Sequence, residues 1–219
     1  MRCYAVKDIP VFTTEYGTAS LILKEVPYRQ EAYIRIQGAF TGMLKGLLKE
    51  CVTFCTMAGA ERIYASGAED LTEYPLYTAV YEMRGEAVVD KQMIRSLFPV
   101  TDATVTRWRQ IYNEKMRSVD NAGTLTAFDE NQIVSSGGAY FVHEDGHLLG
   151  IGWMDDTKLL TIAAAEPGMG RYVMHSLLSL VEGATVTLEV ASTNVRAIRL
   201  YEKMGFVKSR EISRWYRIK

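Results

Sequence analysis

The sequence predicts an α/β protein in which a complete C-terminal domain follows a smaller N-terminal α/β lobe. Three segments carry that prediction. Leu188–Phe206 reads as a strand, a capped amphipathic helix and a glycine stop. Lys158–Arg171 reads as a strand that runs through a glycine loop into a second helix. Ala139–Met154 reads as two apolar strands around Asp145-Gly146, a strong two-residue hairpin signal.

Length and composition permit such an architecture. At 219 residues and 48% hydrophobic, the chain can bury one sizeable core and a second smaller one. The formal net charge is −1, from 25 basic and 26 acidic residues, so the totals force no polyanion-binding surface. The three cysteines, Cys3, Cys51 and Cys55, are odd in number, and two sit at i and i+4 of an apolar run. Reduced thiols in a reducing compartment are the simpler reading, and a disulfide framework is excluded. No basic N-terminal stretch leads into an apolar one, and no apolar run approaches roughly 18 residues. A soluble, cytoplasmic protein is expected, with no membrane and no nucleic acid among its partners.

The first half, about residues 1–88, is read as strands at Ala19–Leu23 and Ala32–Ile36, a helix at Thr41–Met57, then strands at Glu61–Ala65 and Leu76–Met83. Leu44, Leu47, Leu48, Cys51, Val52 and Cys55 line one face of the helix. Residues 89–103 form a mixed, charged connector in which Pro99 stops any helix begun at Val89. The second half, residues 104–219, opens with a helix at Thr104–Val119, where Trp108, Ile111, Tyr112 and Met116 share a face. Its basic residues are broken up by Glu114 and Asp120 and read as a solvated face. The tail, Gly205–Lys219, reads as two strands that meet near Glu211–Ser213.

His143, Glu144 and His147 satisfy H-E-x-x-H, a zinc-protease string. That chemistry needs both histidines on one helical face. Here Asp145-Gly146 would sit in mid-helix, so the string belongs to a hairpin and no metal site is assigned. His175, in the helix after the glycine loop, has no evident partner and is read as structural.

The remaining motif is the glycine loop. Amides of Gly168, Met169, Gly170 and Arg171 converge where a helix begins, and the helix dipole adds its positive end, which suits an anion. A tight strand-to-helix turn is the alternative. About 25 residues later come Asn194 and Tyr201, within N-V-R-A-I-R-L-Y-E-K-M-G-F.

That pair of segments, in that order, resembles the GNAT N-acetyltransferase family, whose members carry a Q/R-x-x-G-x-G/A loop and then L-x-V…N-x-x-A-I-x-L-Y-x-x-x-G-F. The resemblance covers residues 104–219. It implies a mixed central sheet flanked by helices, with acetyl-CoA as co-substrate and no metal. The N-terminal lobe is then either a degenerate GNAT-like half or an unrelated α/β lobe packed against it. Gly168 and Gly170 match the loop glycines, while Ala165 stands where Gln or Arg is usual.

By the same resemblance, the loop amides hold the pyrophosphate, with Arg171, Arg196 and Lys203 as basic support and Arg199 beside them. Strand amides at Ile162, Ala163 and Ala164 hold the thioester oxygen. Asn194 bonds the pantetheine arm or serves only as a helix cap. Tyr201 protonates the departing thiolate or only fills core. Glu189 matches the glutamate base of ribosomal-protein N-terminal acetyltransferases, with an exposed strand glutamate as the rival reading and Glu166 a weaker substitute. The expected reaction is acetyl transfer to a primary amine, on a small molecule or amino acid, by direct attack in a ternary complex. A homodimer is left open. The alternative is a GNAT-like protein that binds CoA without turnover.

Overall fold

The computed structural model describes residues 10–219. They fall into two compact units: the residues up to Val80 together with Glu211–Lys219, and Tyr81–Arg210. This division differs from the expected boundaries near residues 88 and 104. The connector belongs to the second unit, and the C-terminal tail belongs to the first.

In the first unit, β1 (Val11–Thr14), β2 (Gly17–Ile22) and β3 (Glu31–Ala39) form an antiparallel meander, with a single turn α1 (Val26–Arg29) between the last two. Helix α2 (Leu44–Met57) then crosses to β4 (Arg62–Ser66), which lies parallel to β3 over five register pairs, from Glu31↔Arg62 to Arg35↔Ser66. Leu47, Leu48, Cys51 and Cys55 of α2 bury against Ala19, Leu21, Ile34 and Ile63. Cys51 and Cys55 are free and buried, and desolvation pushes their thiols up to about 12 and about 11, so neither is a nucleophile at neutral pH. Cys3 lies outside the described residues.

Strand β5 (Leu76–Glu86) leads into the second unit. There follow a 3-10 turn at Lys91–Met93, β6 (Ser96–Pro99), α3 (Val105–Met116) and α4 (Ala127–Ser135). A second antiparallel meander comprises β7 (Ala139–Glu144), β8 (His147–Asp155) and β9 (Lys158–Ala164). Helix α5 (Gly170–Leu178), β10 (Thr185–Ala191), α6 (Val195–Lys203) and β11 (Val207–Arg217) complete the chain. The strand order is β1-β2-β3-β4-β11 in the first unit and β11-β5-β10-β9-β8-β7-β6 in the second.

Both units therefore contain one motif: a meander, a glycine turn, a helix and a returning parallel strand. Gly42-Met43 leads α2 as Gly168-Met169 leads α5, with φ of +75° and +94° at the two glycines. The first lobe thus repeats the order of elements of the second. Each unit also takes a strand from the other half of the chain. Strand β5, which follows β4 in sequence, lies beside β10, while the end of β11 pairs with β4 through Tyr216↔Ala65 and Arg217↔Tyr64.

Helix α5 anchors the second unit. Its Val173, Met174, Leu177 and Leu178 are fully buried, worth about 1.5–3 kcal/mol each relative to exposure. Gly152 of β8 lies directly beneath: a Cβ there would come within 2.2 Å of Leu177 Cδ1. On another helix, Trp108 is fully buried and donates from Nε1 to the Tyr140 carbonyl at 3.1 Å.

Several elements depart from expectation. The tail is one continuous strand, β11, with no break near Glu211–Ser213. The connector contains the edge strand β6, paired antiparallel to β7, where Pro99 is tolerated because an edge residue can forgo its donor. Strand β1, the turn α1 and helix α4 had no clear sequence signal. In α4 the Asp129 carboxylate accepts from the Thr126 amide at 2.6 Å and from its hydroxyl at 2.8 Å, a cap at the helix start. Among the described residues, no helix is long and apolar enough to cross a membrane.

Candidate active site

The parallel pair β9–β10 opens almost as soon as it forms. Only Thr187↔Lys158 and Leu188↔Leu159 are in register, whereas β3–β4 holds five pairs. The cause lies in β9. Trp153 of β8 pairs with Thr161 and Met154 pairs with Leu159, so Leu160 is bulged out and the strand bends away from β10. Beyond the bulge, Ile162, Ala163 and Ala164 pair with Gly152, Ile151 and Gly150 of β8, leaving the β10 side of the strand open. Gly150 is required for this, since a Cβ there would meet the Ala163 carbonyl at 2.4 Å.

The glycine loop sits at the carboxyl end of β9. Ala165 fixes it through main-chain groups: its amide donates to the Leu149 carbonyl at 2.8 Å, and its own carbonyl accepts from Lys115 Nζ at 2.9 Å. Lys115 is on α3, and sequence reasoning took it only as part of a solvated face. It brings a cation to the loop, where the family pattern has Gln or Arg in the position of Ala165. Gly168, in the left-handed region, turns the chain into α5, whose first amides have no carbonyl of their own to bond. Met169 is the cap residue and Gly170 opens the helix. A Cβ on Gly170 would lie 3.2 Å from Leu200, so glycine lets α5 begin close to α6. Arg171 follows, exposed at the helix start.

The loop's dependence on Gly168 sets an expectation. Valine at Gly168 must adopt a positive φ at a cost of about 1–3 kcal/mol, and its branches cover the amides. Gly168→Val should weaken CoA binding at least tenfold by calorimetry, with the far-ultraviolet circular dichroism unchanged.

The second wall follows β10. The Asn194 side chain accepts from the Ala197 amide at 3.2 Å, so the capping role is real, and this bond leaves its Nδ2 donors unused. Arg196, Arg199 and Lys203 are exposed on α6. Tyr201 is only 6% exposed and packs with Leu188, Val190 and Phe206, its ring 6.3 Å from that of Phe206. Burial raises its phenol well above the ordinary tyrosine value, so the hydroxyl keeps its proton at neutral pH.

Glu189 lies on the other face of the sheet. Val186, Leu188 and Val190 enter the core under α5 and α6, so by strand alternation Thr187 and Glu189 face away from it. The Glu189 carboxylate accepts from Lys158 Nζ at 2.5 Å. Burial pushes the Glu189 carboxyl up, but positive charge beside it, led by Lys158, leaves it below the ordinary 4.5. The acid and base candidates therefore occupy opposite faces of β10, on either side of the opening between the two strands.

The other singled-out residues lie elsewhere. His143 and Glu144 end β7 and His147 begins β8, across a hairpin turn with φ of +49° at Asp145 and +79° at Gly146. Glu144 pairs with Arg95, and His143 packs edge-on against Phe98. Among the described residues, no three His, Cys, Asp or Glu side chains gather to hold a metal. His175 is buried, and its Nδ1 accepts from the Asp90 amide at 3.1 Å, tying α5 to the segment before β6. Glu166 is exposed on the loop, and its carbonyl accepts from the Met169 amide at 3.3 Å.

Fold and site together define an α/β protein in which two parallel strands part beside a glycine loop that opens a helix. The acetyltransferase (GNAT) family model matches residues 91–206. The chain belongs to that family. It is also 42% identical over 69 residues to the spore coat polysaccharide biosynthesis protein SpsD of Bacillus subtilis, a match covering 28% of this chain and 24% of that protein. The chain thus spans about a quarter of that relative's length. Among solved structures, a conserved protein of unknown function from Staphylococcus epidermidis has the same fold, with TM-score 0.54 and 13% identity over 96% of this chain and 93% of that one. A GCN5-related N-acetyltransferase from Sphaerobacter thermophilus matches with TM-score 0.50 and 12% identity over 91% and 75%. Both likenesses concern the fold.

Proposed function

We propose that this protein transfers acetyl from acetyl-CoA to a primary amine on a small molecule, by direct attack in a ternary complex. The observation that carries this reading is the two-pair register of β9–β10, which opens beside a glycine loop in a chain of the GNAT family. The likeness to a spore coat polysaccharide biosynthesis protein favours sugar-borne amines alongside amino acids as acceptors.

Acetyl-CoA supplies the acetyl group as a thioester; the amine nitrogen bonds to its carbonyl carbon and the carbon–sulfur bond breaks. Amides of Gly168, Gly170 and Arg171 receive the pyrophosphate, that of Met169 being held by the Glu166 carbonyl, with Arg196 and Lys203 on α6. Of the strand amides at Ile162, Ala163 and Ala164, those of Ile162 and Ala164 alternate onto the open side and receive the carbonyl oxygen as charge develops, while that of Ala163 faces β8. Asn194 donates from Nδ2 to the pantetheine arm. Glu189 takes the nitrogen's proton and Tyr201 gives one to the sulfur. A weakly basic carboxylate is sufficient, because the nitrogen becomes strongly acidic once it is bonded to the carbonyl carbon. No Cys in the second unit offers a covalent route.

Calorimetry with acetyl-CoA, paired with thiol release on a panel of amino acids and amino sugars, tests this. Binding at one coenzyme per chain with release on at least one amine is expected, since β3–β4 stays closed and Leu44 replaces the second loop glycine in the first unit. Tight binding with no release from any amine would support a coenzyme-binding protein without turnover.

A further inference from the structure

Four charged side chains form a row across adjacent strands of the second unit, in the order β11, β5, β10, β9. Arg210 pairs with Glu82 at 2.9 Å, and Glu189 pairs with Lys158 at 2.5 Å. Ser209 also donates to Glu82, at 2.9 Å. The two carboxylates stand on neighbouring central strands and the two cations flank them. The Arg210 guanidinium and the Ser209 hydroxyl hold Glu82 below the ordinary carboxylate range. Lys158 feels Glu82 as well as Glu189, and Arg210 feels Glu189. These are the charged groups that β9, β5 and β11 present to Glu189.

The Lys158–Glu189 bond has a particular place. In register, Lys158 faces Thr187, so its side chain reaches diagonally forward to a residue two positions further along β10. That is the direction in which the strands part. The ammonium is half-buried, with 31% of its side chain exposed against 22% for Glu189, so the bond is shielded more than a surface pair.

We propose that Lys158 is a positioning residue for acyl transfer: its ammonium anchors the Glu189 carboxylate at the mouth of the opening between β9 and β10, in the orientation that meets the incoming amine. This rests on the reading of Glu189 as base. Loss of the anchor has two opposed effects. Without the cation, the carboxyl loses the first of the positive charges that oppose its burial and becomes more basic, which gains at most about tenfold per pKa unit. A displaced carboxylate loses about 10²-fold. Displacement wins.

The test uses the full chain with ¹³C-labelled glutamate, Glu189→Gln serving to assign the Glu189 carboxyl resonance. Wild type should titrate below 4.5, Lys158→Met at a higher pH than wild type, and Lys158→Arg close to wild type. In parallel, kcat should fall about tenfold in Lys158→Met, with KM for acetyl-CoA within about twofold, and Lys158→Arg should restore most of it. An unmoved Glu189 titration in Lys158→Met, or an unmoved kcat, overturns the positioning role. Wild-type turnover in Glu189→Gln would instead remove Glu189 as base, a separate failure, since the carboxyl titration is read without any turnover.

Discussion

Tyr201→Phe should lower kcat by about 10²–10³-fold while leaving the affinity for acetyl-CoA within about twofold. The ring is buried against Phe206 and the side chains of α5 and β10, so phenylalanine keeps the packing and removes only the hydroxyl. In the proposed mechanism the lost group is the proton donor to sulfur. Burial keeps that donor protonated through neutral pH, so no loss of activity from its ionisation is expected below the ordinary tyrosine value of 10. The variant should also retain its fold, because a volume-conserving change in the core costs little. Steady-state kinetics beside calorimetry distinguish this outcome. Equal loss of affinity and turnover would make Tyr201 a packing residue.

Glu189→Gln should lower kcat by about 10²-fold. The amide oxygen can still accept from Lys158, so position is kept while the capacity to take a proton is lost. The sign of the pH effect follows from the depressed carboxyl. In wild type, Glu189 is ionised at every pH above its lowered midpoint, which lies under 4.5, and its contribution to turnover is lost only as pH falls through that midpoint. The same carboxylate stabilises the fold above that range and ceases to do so below it. Between pH 6 and 9 the wild-type profile should therefore report the acceptor amine alone, with turnover rising as more of the amine is unprotonated. Glu189→Gln should retain that shape at a lower plateau. A retained plateau in the variant would assign the base elsewhere.

The strongest sequence signals were those with local physical causes. Helix α6 announced both ends, because Asn194 caps it and Gly205, at φ +84°, stops it. The hairpin at Asp145-Gly146 was legible for the same reason, and it disposed of the H-E-x-x-H string. Elements defined by long-range pairing were not legible. Pro99 looked like a breaker but lies on an edge strand, where its missing donor has no cost. The charged run around Glu211 suggested a turn, yet β11 continues through it. Exchange of β5 and β11 between the two halves leaves no local mark, and the expected domain boundaries missed it.

The site divides in the same way. Gly168, Gly170, Asn194 and Tyr201 belong to contiguous motifs and were readable. The bulge at Leu160, which opens the strands, depends on the register between β8 and β9. Lys115 and Lys158 bond to residues 50 and 31 positions away, contacts that no local pattern around either lysine marks. The repeated Gly-Met turn at Gly42 was a signal available in the sequence, but its weight came only from finding the same turn before both helices.

In the proposed mechanism the opening between β9 and β10 seats the coenzyme with its sulfur at Tyr201. A crystal structure with CoA bound tests it most directly. The pantetheine arm should lie between the two strands beyond Leu159 and Leu188, the pyrophosphate on the amides of Gly168, Gly170 and Arg171, and the sulfur within about 3.5 Å of the Tyr201 hydroxyl. Coenzyme bound elsewhere on the chain, or seated there with Tyr201 remote from the sulfur, would contradict it.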